Sequence, residues 1–145
     1  MKIQELIDEW NKDCIIDKAK LDDESLKIPL LHSKYYNYFI QEKLILQKLE
    51  SEYKKLELEK YEFYTMGHTE ETKQKGWKLP PKGMVLKADV NMYIKADPDI
   101  IDLTTKISLV QEKINFLDSI IKSLQYRSYT IKNAIEFMKF TEGNL

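Results

Sequence analysis

The chain has 145 residues, 43% of them hydrophobic and 32% charged, with a formal net charge of −1. Four glycines and four prolines are too few for a many-turned sheet and suit long helices. A single cysteine, Cys14, excludes an internal disulfide and fits a reducing compartment, and no apolar run approaches the roughly 18 residues of a membrane span.

In chain order, Ile3, Leu6, Ile7 and Trp10 fall at helical spacing, so the first element is a short amphipathic helix over about residues 2–12. Met1–Trp10 is amphipathic rather than signal-like, which reads as a soluble, unprocessed chain. Cys14, Ile15 and Ile16 form an apolar connector, with Cys14 expected as a small buried group. Asp17 can then cap a second short helix from Lys18. Pro29 lacks an N–H and restricts the residue before it, which ends or kinks that helix near Lys27 or Ile28.

A long helix follows, from Pro29 to about residue 65. Tyr35, Leu49, Leu56 and Phe63 lie at multiples of seven, and Phe39, Leu46 and Tyr53 supply the companion set of a heptad, with Glu42 and Lys60 as its polar exceptions. Extended backward, the first set reaches Ile28 and Leu21, so the two helices can share a seam. Gly67, Gly76, Pro80, Pro81 and Gly83 make 66–97 irregular. Leu86–Lys95 fits a short helix capped by Asp89, with a strand pair around Asn91 as the alternative.

Asp97 and Pro98 signal the start of the last helix, 98–141. Leu103, Ile107, Val110, Ile114, Leu117, Ile121, Leu124, Ser128, Ile131, Ile135 and Met138 alternate spacings of four and three, which places them on one stripe. Such a helix is about 65 Å long and needs a partner along its length, in the same chain or another. The fold expected is all-α. It comprises two short N-terminal helices (1–28), two long antiparallel helices (29–65 and 98–141) and a basic connector (66–97), within one domain.

The near-neutral charge is segregated. Acids predominate over 1–30 and 88–118, whereas Lys73, Lys75, Lys78, Lys82 and Lys87 face only Glu70 and Glu71 over 65–87. Such separation can orient an anionic ligand. Catalytic signatures are absent: no phosphate-cradling loop, no dinucleotide fingerprint, and no zinc spacing among His32, His68 and Cys14. Neither enzyme activity nor a metal or other cofactor is expected. Between Glu52 and Gly67, Lys54, Lys55 and Lys60 are interleaved with Tyr53, Tyr61, Phe63 and Tyr64. Cations that follow a phosphate backbone and rings that stack on bases are what single-strand binding requires. By composition alone, a helical-hairpin adaptor or chaperone that grips a protein partner is the competing reading.

Asp17 with Lys20-Leu21, Ser33-Lys34, Lys60 with Glu62-Phe63-Tyr64 and Gly67, Val85-Leu86 with Ala88-Asp89, and Arg127-Ser128-Tyr129-Thr130-Ile131-Lys132 with Phe140 form an end-to-end pattern. In these residues the chain resembles the UvsY recombination mediators of tailed bacteriophages. The resemblance implies a homo-oligomeric ring or open barrel, hexameric or heptameric, that binds single-stranded DNA in the cytoplasm of an infected bacterial host. It also implies two protein partners, a RecA-like phage recombinase and the phage single-strand-binding protein that the recombinase must displace. By resemblance Lys60 contacts DNA; the interleaved pattern adds Lys54, Lys55, Tyr61 and Tyr64 as candidate contacts, and the connector cluster adds Lys73, Lys75 and Lys78. The C-terminal helix carries assembly through Leu124, Ile131, Ile135, Met138 and Phe140. The family pattern has a second basic residue two positions before Lys60, where this chain has Leu58.

Overall fold

The two heptad seams form two long helices. The computed structural model describes residues 1–143, and its elements are α1 (Ile3–Asp13), α2 (Leu21–Met66), α3 (Glu70–Gln74), α4 (Val90–Lys95) and α5 (Pro98–Thr141), with no strand among the described residues. Of Leu86–Lys95, only Val90–Lys95 is helix, and Asp89 stands at its N-cap position, although its side chain makes no capping bond. Asp97 does cap: its Oδ1 accepts from the backbone N–H groups of Asp99 (2.9 Å) and Ile100 (3.3 Å). These are two of the donors a helix start leaves without partners.

The expected break at Pro29 does not occur, and residues 21–28 are the first turns of α2 rather than a separate short helix. Proline removes one N–H, whose helical acceptor would be the carbonyl of Ser25. Both residues are exposed, so water can replace the missing donor. The helix is also fastened on either side of the proline, by buried Leu21 and Glu24 before it and by fully buried Tyr35 after it. Asp17 accepts from the N–H of Ala19 (2.9 Å) in the connector instead of capping a helix at Lys18. Cys14 is exposed, not buried, because it sits at the C-cap of α1, where the chain turns away from the core.

The chain forms two compact units. The first joins Met1–Leu44 to α5 from Gln111 onward. Here α2 and α5 run antiparallel, since Glu24 meets Arg127 and Glu42 meets Lys113. The core is Leu6, Tyr35, Leu117, Ile120, Ile121 and Leu124, with Trp10, Leu31, Tyr38, Phe39 and Phe116 packed on it. α1 is too short to persist alone in water. It docks by burying Leu6 and setting Trp10 edge-on to Tyr35 (ring centroids 5.4 Å apart). Its acidic edge is gripped by α2: Lys34 and Tyr35 each reach Asp13 Oδ2 at 2.7 Å, and the Tyr38 hydroxyl donates to Glu9 at 3.1 Å.

Two carboxylates, half-buried Asp13 and buried Glu24, make this unit pH-sensitive. Burial raises the carboxyl pKa of Asp13, but Lys34, Tyr35 and Arg127 outweigh it and hold the group below its ordinary 3.8. Burial acts likewise on Glu24, and Lys27 and Arg127 bring it below 4.5. Both groups bind fewer protons folded than unfolded. The stability they supply is therefore complete above their ordinary pKa values and is lost as the pH falls through and below them. Urea unfolding should show a midpoint that is flat from about pH 7 to about pH 5 and falls below about pH 4; a midpoint unchanged on acidification would contradict these pairings.

The second unit, Ile45–Val110, holds the end of α2, α3, α4 and the start of α5. Its core is Phe63, Tyr64, Val90, Ile94 and Ile100, with Tyr53, Leu56, Tyr61, Trp77, Leu79, Val85 and Tyr93 packed against it. α3 interrupts the stretch expected to be irregular. Thr69 accepts from the Thr72 N–H at its N-terminus, and Gly76 (φ +72°) ends it in the left-handed conformation.

Candidate nucleic-acid interface

The candidate cations divide into two groups by burial. Lys54, Lys55, Lys73, Lys75 and Lys78 are exposed, whereas Lys60 is 2% exposed and lies within the second unit. Its place in the α2 seam puts it one helical turn before Tyr64, on the face that packs against the start of α5. Its ammonium lies 2.8 Å from Asp99 Oδ2 and 3.1 Å from Asp97 Oδ2, and 3.6 Å from the centroid of the Trp77 ring. A lysine at a seam position ordinarily carries its head out to solvent, and Lys60 does not. Asp97 and Asp99, more than thirty residues away in sequence, hold that charge inside. Tyr64 is also withdrawn, 6% exposed, and its hydroxyl donates to Asp97 Oδ2 at 2.6 Å. Burial, followed by that carboxylate, drives the phenol pKa well above its usual range, so it stays protonated.

The rings between the lysines are core before they are stacking platforms. Phe63 and Tyr64 are buried, and Tyr53 and Tyr61 pack half-buried against them, because their three- and four-residue spacings are those of the seam. Tyr61 lines an open groove of about 250 Å³, shared with Lys54, Glu57, Leu58 and α4 residues Asn91 and Ile94. Leu58, where the resemblance expects a second basic residue, is exposed and lines this groove.

Around α3 the cations face outward. Lys75 pairs with Glu71 (3.0 Å) and Glu59 (3.6 Å) and lies 5.0 Å from the Trp77 centroid. The Glu71 hydrogen bond, above the other contacts, raises its pKa. Lys54, Lys55, Lys73 and Lys78 form no ion pair among the described residues. No cluster of metal-ligating side chains occurs among them, and no helix there is long and apolar enough to cross a membrane.

Residues 9–144 match the model of a family described as recombination, repair and ssDNA binding protein UvsY. The chain belongs to the UvsY family. It is 22% identical over 144 residues to the recombination protein uvsY of Enterobacteria phage T4, covering 99% of each. Two crystal structures of the bacteriophage T4 recombination mediator protein UvsY share its fold. In lattice type IV the TM-score is 0.80 at 20% identity, over 97% of this chain and 99% of that one. In lattice type II it is 0.79 at 23% identity, over 99% and 98%. The all-helical architecture of this UvsY family member is thus shared at low identity, which is what a fold specified by seam spacing rather than residue identity allows.

The C-terminal residues expected to carry assembly also divide. Leu124 (1% exposed) and Ile131 (2%) are consumed by packing within the chain's own first unit. Ile135, Met138 and Phe140 are exposed there. A second stripe, not anticipated from the sequence, accompanies them: Tyr126, Tyr129, Phe137 and Phe140 recur at spacings of three, eight and three and are each 65–67% exposed. With Asn133 between, they share one helical face. In the same unit, α2 leaves Leu26, Leu30, Ile40 and Leu44 exposed, again at positions one helical face collects. Their spacing was readable, but the seam periodicity, being stronger, masked it.

Proposed function

We propose that this protein is a recombination mediator. It binds single-stranded DNA and promotes loading of a RecA-like recombinase onto DNA covered by single-strand-binding protein, as a homo-oligomeric ring or open barrel. Family membership supplies the class. The observation that carries the reading is the set of outward, internally unpaired cations Lys54, Lys55, Lys73 and Lys78 on one small unit whose aromatic core holds their backbone in place. Lys75 joins them where a phosphate displaces its exposed carboxylates.

One subunit grips DNA weakly, because each phosphate neutralised contributes only about 0.7 to the salt slope of single-strand binding. Copies held together present the same cations repeatedly, and once one is engaged the others bind at high effective concentration. The unpartnered apolar stripes of α2 and α5 provide the surfaces for such association. A strand led from copy to copy is extended and held off the single-strand-binding protein, which leaves a stretch on which the recombinase can nucleate.

The test is a titration of a labelled oligothymidylate by anisotropy. Lys54→Ala with Lys55→Ala is expected to lower affinity and to flatten the salt slope by about 1.4 for each engaged subunit. Sedimentation should be unchanged. Equal affinity and slope in wild type and variant would remove these lysines from the interface.

A further inference from the structure

Lys60 is the family's expected DNA contact and the least accessible cation of the set. Its ammonium has three N–H donors. Two face the Asp97 and Asp99 carboxylates, and the head lies against the indole of Trp77. Asp97 is fully used as well: Oδ1 caps α5, while Oδ2 receives the Tyr64 hydroxyl and Lys60. To reach a phosphate, Lys60 would have to leave two carboxylates, one of them 3% exposed, without a counter-charge. Stripping a buried ion of its partner is strongly destabilising and costs more than one lysine–phosphate contact in water returns.

Trp77 connects this cluster to the exposed lysines. Its backbone N–H donates to the Thr72 carbonyl (3.2 Å), and the Gly76 N–H to that of Lys73 (3.1 Å), closing the end of α3 through the left-handed Gly76. Its ring is edge-on to Phe63, with centroids 5.4 Å apart. Whatever fixes the Trp77 ring therefore fixes the segment that carries Lys73, Lys75 and Lys78. A cavity of about 250 Å³ is lined by Lys60, Trp77, Asp97 and Asp99 of the cluster together with Lys75 and Lys78.

We propose that Lys60 is a positioning residue for single-strand binding: it clamps Trp77, and with it the Lys73–Lys78 segment, against the start of α5 without touching a phosphate. This rests on the single-strand-binding reading above. The clamp joins α2, the connector and α5 through one buried charge, so loss of Lys60 acts on DNA through lysines it never meets.

The experiment compares wild type, Lys60→Met, and Lys60→Met combined with Asp97→Asn, which removes the stranded negative charge while keeping the cap oxygen. Each is titrated with oligothymidylate across a salt series, and the Trp77 indole N–H resonance, assigned with Trp77→Phe, is recorded without DNA. Lys60→Met is expected to shift that resonance and weaken binding about tenfold. The double variant should recover most of the affinity with the wild-type salt slope, since no phosphate contact was lost. A double variant as weak as Lys60→Met, with the slope reduced by about 0.7 per engaged subunit, would establish a direct contact and overturn the proposal. So would an unshifted Trp77 resonance or unaltered binding in both variants. A wild type with no affinity for the oligonucleotide would overturn the functional reading itself, whereas a shifted resonance alongside it would still locate the clamp.

Discussion

Arg127→Ala is expected to destabilise the first unit by about 3–5 kcal/mol, a large share of the roughly 5–15 kcal/mol that holds a domain folded. The guanidinium is buried. It donates to the carbonyls of Asp13 (2.9 Å) and Ile15 (3.3 Å) and pairs with Glu24 at 3.1 Å. Its removal leaves Glu24, itself 5% exposed, with only the solvent-exposed Lys27 as partner, and takes the guanidinium donor from the Asp13 and Ile15 carbonyls. The same side chain fixes the segment between α1 and α2, so α1 should undock with it. Arg127→Lys should recover little, because a lysine head cannot serve three separated acceptors in the planar geometry of a guanidinium. Urea unfolding followed by circular dichroism measures the loss. Lys122→Ala, which breaks an exposed pair with Asp118, is the control and should leave the midpoint unmoved. An Arg127→Ala midpoint equal to wild type would mean that the buried pair supplies no net stability.

The second large effect concerns assembly. Phe137→Asp with Phe140→Asp places two charges on the exposed stripe of α5 and touches no buried position. The double variant is expected to keep the wild-type helical signal and sediment as a monomer. Its affinity for a long single strand should fall by about a hundredfold or more as linked contacts become independent. Ile131→Asp makes the contrast. Ile131 lies in the chain's own core, so a carboxylate there should cost folding before it costs association. If the Phe137, Phe140 variant sediments as wild type does, the stripe is not where copies meet.

Much of this architecture was legible because a single periodicity writes it. Positions 35, 39, 42, 46, 49, 53, 56, 60 and 63 of α2 are all buried or half-buried, including both polar exceptions. What the spacing does not carry is the identity of their partners. Glu42 meets Lys113 and Lys60 meets Asp97 and Asp99 across intervals that only the folded chain closes. On α5 the heptad reading slips at its far end. Three-residue steps from Leu117 to Ile120 and from Leu124 to Arg127 turn the buried line faster than the seven-residue repeat, so Arg127 rather than Ser128 is buried and Ile120 joins the core. Pro29 misleads for a related reason: the local cost of one lost hydrogen bond is set by tertiary anchors that the dipeptide does not reveal.

The candidate interface was legible as a composition and not as a surface. Lysines alternating with aromatics describe both a strand-binding track and a seam flanked by solvated charges. Burial separates them, assigning Phe63, Tyr64 and Lys60 to the interior and leaving the outward lysines to solvent. α3 was hidden among helix breakers, although Thr69 and Thr72 stand at capping distance from each other.

In the proposed assembly, repetition across copies turns a few weak cationic contacts into useful affinity for a single strand. Its most direct measurement is the salt dependence of binding to a long oligothymidylate, for wild type and for the Phe137→Asp, Phe140→Asp variant. Were Lys54, Lys55, Lys73, Lys75 and Lys78 all engaged, one subunit could give a slope no steeper than about −3.5. The wild-type slope should lie well beyond that limit and the variant slope within it; a wild-type slope within the limit, equal to that of the variant, would mean that copies do not act together on the strand.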